Sequence, residues 1–167
     1  MSNTSGTNRV HNGGQAMVET ALIIFFLVLL IFGMTEFGRA MYTKNTLNNA
    51  ARAGARAAVV TPGTSYPTLN ATTVTCDSMG NSNPNNSLYD AVCKGIAGGG
   101  IKADQTTPSP SAIVTIEIQD PGGTSQSAPA TGYTITVKVQ SYFEPVITLM
   151  QNMINSTLIG QASMRYE

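Results

Sequence analysis

Histidine and charge are what this sequence has least of. Of its 167 residues one is a histidine, His11, and only 11% are charged, nine basic against nine acidic. Scarce histidine removes the usual general base and the commonest metal ligand. A net charge of zero gives no electrostatic case for nucleic acid as a partner. Cysteine is scarce too: Cys76 and Cys93 cannot form a structural zinc site without two further ligands, and no Cys-x-x-Cys pair exists. P-loop, dinucleotide-binding and Gly-x-Ser-x-Gly signatures are missing, and Gly98-Gly-Gly100 reads as a hinge rather than a phosphate cradle. The oxygen-rich run from Asp77 to Asn86 lacks the spacing of an EF-hand and holds a single carboxylate. No enzymatic activity, cofactor or metal is expected.

What the chain does have is one long apolar run. Glu19 and Glu36 bracket residues 20–35, which are uncharged, and Ala21 to Phe32 are apolar without a break. As a helix, residues 20–35 span roughly 24 Å. A bilayer crossing takes about 20 residues, and uncharged positions before Glu19 supply the remainder. One membrane-inserted helix near 17–36 is the natural expectation. A carboxylate at membrane depth costs roughly 2.5–3.5 kcal/mol, so Glu19 needs a partner. Cleavage after Gly14 would create one, the new amine of Gln15. A secretory signal would instead need an A-x-A site soon after the apolar run. The first such triplets occur only around Ala51 to Ala55. A plain membrane anchor is the alternative, but it leaves the pairing of Gly14 with Glu19 unexplained.

The residues Gly14-Gln-Ala-Met-Val-Glu-Thr-Ala-Leu, followed by Gly33-Met-Thr-Glu-Phe-Gly-Arg-Ala, resemble the N-terminus of the TadE-like pseudopilins. These are minor subunits of the bacterial tight-adherence (Tad) pilus system. The end of the chain, Ala162-Ser-Met-Arg-Tyr-Glu167, is similar to the way such chains finish. Gly13 and Thr20 stand where family members often carry a basic and an aromatic residue. Gln15 differs from the phenylalanine that usually begins mature type IV pilins. The resemblance implies a prepilin cut between Gly14 and Gln15 by a prepilin peptidase, with Glu19 acting in assembly. The partners it implies are other pilin or pseudopilin subunits and the inner membrane with its pilus assembly machinery. The location it implies is a single pass through the bacterial inner membrane with the C-terminal part exported, and incorporation into an extracellular pilus. The other function left open is a single-pass anchored surface or adhesive protein that never polymerises.

Three divisions are expected: a polar leader over 1–14, a helix to residue 60, and an exported globular domain over 61–167. The helix should run from about Met17 to Val60, where Thr61-Pro-Gly stops it. Beyond Glu36 it becomes amphipathic, with Phe37, Ala40, Met41, Leu47, Ala51, Ala55 and Ala58 recurring at three- or four-residue spacing. Residues 61–87 read as loop, and Ser87 should cap a short helix over Leu88 to Ile96. Strand patterns follow at Ile113 to Gln119, Tyr133 to Gln140 and Leu158 to Tyr166, each alternating apolar with polar side chains. A short apolar helix or turn is expected over Val146 to Ile154. The fold class is α+β, a long membrane-spanning helix whose exposed half packs on a small antiparallel sheet.

In an exported domain Cys76 and Cys93 read as a disulfide, with two buried thiols as the alternative. One pattern points the other way. Only Arg9 precedes the apolar run, whereas Arg39, Lys44, Arg52 and Arg56 follow it. By the positive-inside rule alone the C-terminal part would stay in the cytoplasm. The pilin-type arrangement requires a cytoplasmic leader.

Overall fold

No proline interrupts residues 13–60, so nothing in the sequence stops a helix from running out of the apolar segment into the soluble one. In the computed structural model, which describes residues 13–60, 72–76, 79–83, 86–101, 112–143 and 156–167, helix α1 spans Gly13–Val60. It starts ahead of the expected Met17. Gly13 and Gly14 are poor helix formers, but extending a nucleated helix costs far less than starting one. The leader residues 1–12 with His11, the stop signal Thr61-Pro-Gly, Asp77 and the Val146 to Ile154 segment lie outside the described residues. The chain divides after Gly38 into two compact units, 1–38 and 39–167.

The second unit is built on a five-stranded antiparallel sheet. Its strands are β1 (Thr72–Cys76), β2 (Ser82–Asn83), β3 (Ala112–Gln119), β4 (Thr134–Phe143) and β5 (Ser156–Arg165), in the spatial order β2-β1-β3-β4-β5. Register settles which face is apolar. Val74 faces Ala112, Val114 faces Val139, Ile116 faces Val137, Ile118 faces Ile135, and Val137 in turn faces Ala162. All of these but the half-buried Ala162 are buried. The other face is wet. It carries the Lys138–Glu117 ion pair at 2.7 Å and a Thr136–Ser163 hydroxyl pair at 2.8 Å. Both sides follow from the period of two that separates Ile from Thr and Glu along β3.

The segment expected as loop over 61–87 contributes β1 and β2, which lie at one edge of the sheet. Only two side chains of β1, Val74 and Cys76, are apolar, too few for an alternation to stand out. Helix α2 spans Ser87–Gly98, and its cap is Asn86 rather than Ser87. The Leu88 amide donates to Asn86 Oδ1 at 3.0 Å, the arrangement in which an N-cap side chain satisfies an orphan helix N–H. The helix buries Leu88, Tyr89, Val92, Cys93 and Ile96 along one face.

Small residues let the second unit's part of α1 lie close to both partners. A Cβ on Gly54 would meet Val92 of α2 and Val137 of β4, and one on Gly95 would meet the backbone of Ala50. Leu47, Ala51, Ala55 and Ala58 are fully buried there, as their spacing implies. Phe37 and Met41 are not part of that stripe: they are 68% and 45% exposed. Helix geometry explains the difference. Six residues from Met41 to Leu47 turn the helix by about 240°, which puts the two on different sides.

Cys76 and Cys93 form a disulfide joining β1 to α2, and both residues are buried. The intervening chain is fastened again where the Ser82 amide donates to Asp90 Oδ1. Replacing both cysteines by serine should cost roughly 2–4 kcal/mol, because the open chain regains loop entropy. Limited proteolysis should then cut first between residues 61 and 100. Thiol labelling of the unreduced wild type should find no reactive cysteine, and two readily alkylated thiols would remove the bridge from the folded protein. The β3–β4 connection is organised by Asp120, whose Oδ1 accepts from the amides of Gly122 and Thr124 and whose Oδ2 accepts from Gln126 Nε2. The Thr124 amide first, then Gln126 and Gly122, holds this carboxyl below the ordinary carboxylate range.

Candidate membrane and processing segment

In the first unit every residue from Gly14 to Phe32 is exposed. Exposure runs around the whole helix, since Leu22, Ile23, Phe25, Phe26 and Leu27 point in successive directions. Water is a poor solvent for such a surface. At roughly 25 cal/mol per Å² of apolar area, a helix of this kind gains heavily from any apolar environment. By length and composition α1 is the one described helix able to cross a membrane.

The few polar groups in this stretch are handled in two ways. Thr20 Oγ1 donates to the carbonyl of Ala16 at 2.8 Å and Thr35 Oγ1 to that of Ile31 at 3.0 Å. Both hydroxyls are therefore satisfied inside the helix, as apolar surroundings require. Threonine within an apolar helix is itself the sequence signal for that bond. Glu19 differs: it is exposed on the apolar helix and has no bonding partner among the described residues. Gly14 and Gln15 lie in the first turns of α1, four or five residues before Glu19. Gly14 is exposed, and a Cβ on it would meet nothing within 4 Å outside the helix's own backbone. Helix periodicity brings Gln15 and Glu19, four apart, onto one face, with Cβ atoms about 6 Å from each other.

These residues therefore form one short segment, whereas Cys76 and Cys93 belong to the second unit and take no part in it. Where the second unit begins, Arg39 lies over the ring of Phe143 with 5.7 Å to its centroid, and the Tyr42 hydroxyl donates to the carbonyl of Gly99 at 3.0 Å. Neither contact was foreseen, because the partners are far apart in sequence. Among the described residues no group of His, Cys, Asp or Glu could hold a metal ion.

Comparison with curated proteins and with solved structures gives no match. Residues 14–56, from the glycine before Gln15 to Arg56, match the model of the TadE-like protein family.

Proposed function

We propose that this protein is a minor pseudopilin of a Tad-type pilus, a structural subunit or assembly factor made as a prepilin and cut between Gly14 and Gln15. The observation that carries the reading is a helix segment apolar on all sides whose one acid, Glu19, stands five residues beyond an accessible glycine. The TadE-like match begins at that same glycine. In this reading the helix anchors the chain in the inner membrane and residues 61–167 form the exported domain. Its partners are the prepilin peptidase, other pilin or pseudopilin subunits and the assembly machinery. Mass spectrometry of the mature chain tests it, the expected N-terminus being Gln15. Gly14→Val should block cleavage, since a branched side chain crowds the scissile bond. An intact leader on wild-type protein from cells that make the peptidase would overturn the proposal in favour of a plain anchor.

Glu19 acts in assembly rather than insertion. Among apolar helices its charge is tolerable only beside a cation, and the freed Gln15 amine, of this or a neighbouring subunit, supplies one. Glu19→Ala should insert normally, because removing a carboxylate lowers the cost of burial. It should nevertheless fail to co-purify with pilus components. Wild-type recovery of those components by the mutant would refute the role.

A further inference from the structure

A cut after Gly14 leaves a glutamine first in the chain, and its side-chain amide can close on its own amine. We propose that Gln15 of the processed chain is a site of spontaneous lactam formation, and that Glu19 of the same chain holds this reaction in check. The inference rests on the proposed cleavage between Gly14 and Gln15 and deepens it.

The reaction needs only the residue itself. The lone pair of the neutral amine attacks Cδ of Gln15, and a bond forms between that nitrogen and Cδ. The bond from Cδ to Nε2 breaks, and Nε2 leaves as ammonia with a proton taken from the amine. Nothing is oxidised or reduced, and the product is an uncharged pyroglutamate ring. An ammonium has no lone pair to attack with, so whatever keeps the amine protonated protects it. An unpaired α-amine is neutral in roughly a tenth of molecules at pH 7, enough for slow closure.

The surroundings of Gln15 favour the protonated form. Residues 15–38 contain Glu19 and Glu36 but no lysine, arginine or histidine, so the freed amine is the one cation of that stretch. Gln15 and Glu19 are both exposed and stand four apart on one helix face. Helical side chains lean toward the N-terminus, which aims the Glu19 carboxylate back over the turn that begins at Gln15. The nearest hydroxyl does not compete for it, because Thr20 Oγ1 already donates to the Ala16 carbonyl. Glu36 is no substitute, lying about 30 Å along the helix from Gln15. The pairing therefore works within one chain. It also preserves what assembly needs, since a lactam has no charge to offer Glu19 among apolar helices.

Ageing of the mature protein in detergent near pH 7, followed by mass spectrometry of its N-terminal peptide, tests the proposal. Glu19→Gln should lose ammonia from Gln15 about tenfold faster than wild type, the effect of removing one nearby opposite charge. Labelling of the α-amine should fall in step. Glu36→Gln should keep the wild-type rate. Near pH 10 the gap between Glu19→Gln and wild type should shrink, because the amine is then mostly neutral in both. A gap that persisted there would assign Glu19 a merely structural effect and overturn the guard. Should the peptidase refuse a variant, a replaced leader cut ahead of Gln15 by an added protease supplies the same chain. Equal rates near pH 7, or a wild-type chain that already begins with the lactam, would overturn the inference and leave the cleavage site intact. A wild-type N-terminus other than Gln15 would instead sink the processing reading beneath it.

Discussion

Ala55→Asp should unfold the second unit and leave the apolar segment of α1 unaffected. Ala55 is fully buried, and its neighbours on that face of α1 are Leu47, Ala51 and Ala58. The described cations closest in sequence, Arg52 and Arg56, are exposed. A carboxylate there would be desolvated without a partner, at a cost of several kcal/mol in a domain whose whole stability is about 5–15 kcal/mol. Arg56→Asp, one residue on, changes charge far more but stays in water. It should leave folding nearly untouched. Protease resistance of the full-length protein in detergent separates the two. Equal tolerance of both substitutions would mean that α1 presents a different face to the sheet.

Those two residues show what the sequence could and could not reveal. The buried face of α1 was legible because Leu47, Ala51, Ala55 and Ala58 keep helical spacing. Strands β3 and β4 were legible because valine and isoleucine alternate with threonine, glutamate and lysine, and β5 because Gly160, Ala162 and Met164 alternate with Gln161, Ser163 and Arg165. Here local pattern and tertiary environment agree, since one face of each element meets the core and the other meets water. Phe37 and Met41 misled for the opposite reason: they are apolar without facing that core. Asn86 and Ser87 are both good caps, and only backbone geometry chooses between them. Strand β1 was hidden by its brevity, because its stability comes from pairing with β3 rather than from its own residues. In the apolar segment, Gly14, Gln15 and Glu19 were singled out because an acid at the edge of an apolar run calls for a partner, and their roles stand as proposals.

Gly160→Val should be as damaging as the buried charge, for a purely steric reason. Gly160 lies on β5 opposite Val139, facing the core, and α1 crosses it there. A Cβ at this position would fall on the backbone of Leu47 and Asn48. Backbone cannot swing aside as a side-chain tip can, so strand and helix would have to separate. Separation would also break the hydrogen bond from the Gln161 amide to Asn48 Oδ1, 3.2 Å long, which satisfies an outward-facing N–H of the edge strand. Overpacking of a well-filled core costs typically 1–3 kcal/mol and more where backbone must move, so a loss of about 3 kcal/mol or more is expected. Gly98→Ala is the matched control. It lies in α2, where a Cβ would meet nothing within 4 Å. Alanine there should raise stability by up to about 1 kcal/mol, since glycine weakens helices. Thermal unfolding of the detergent-solubilised protein should therefore shift the two variants in opposite directions. A Gly160→Val protein as stable as wild type would show that β5 and α1 do not meet at this residue. The glycine would then be a matter of strand composition rather than of packing.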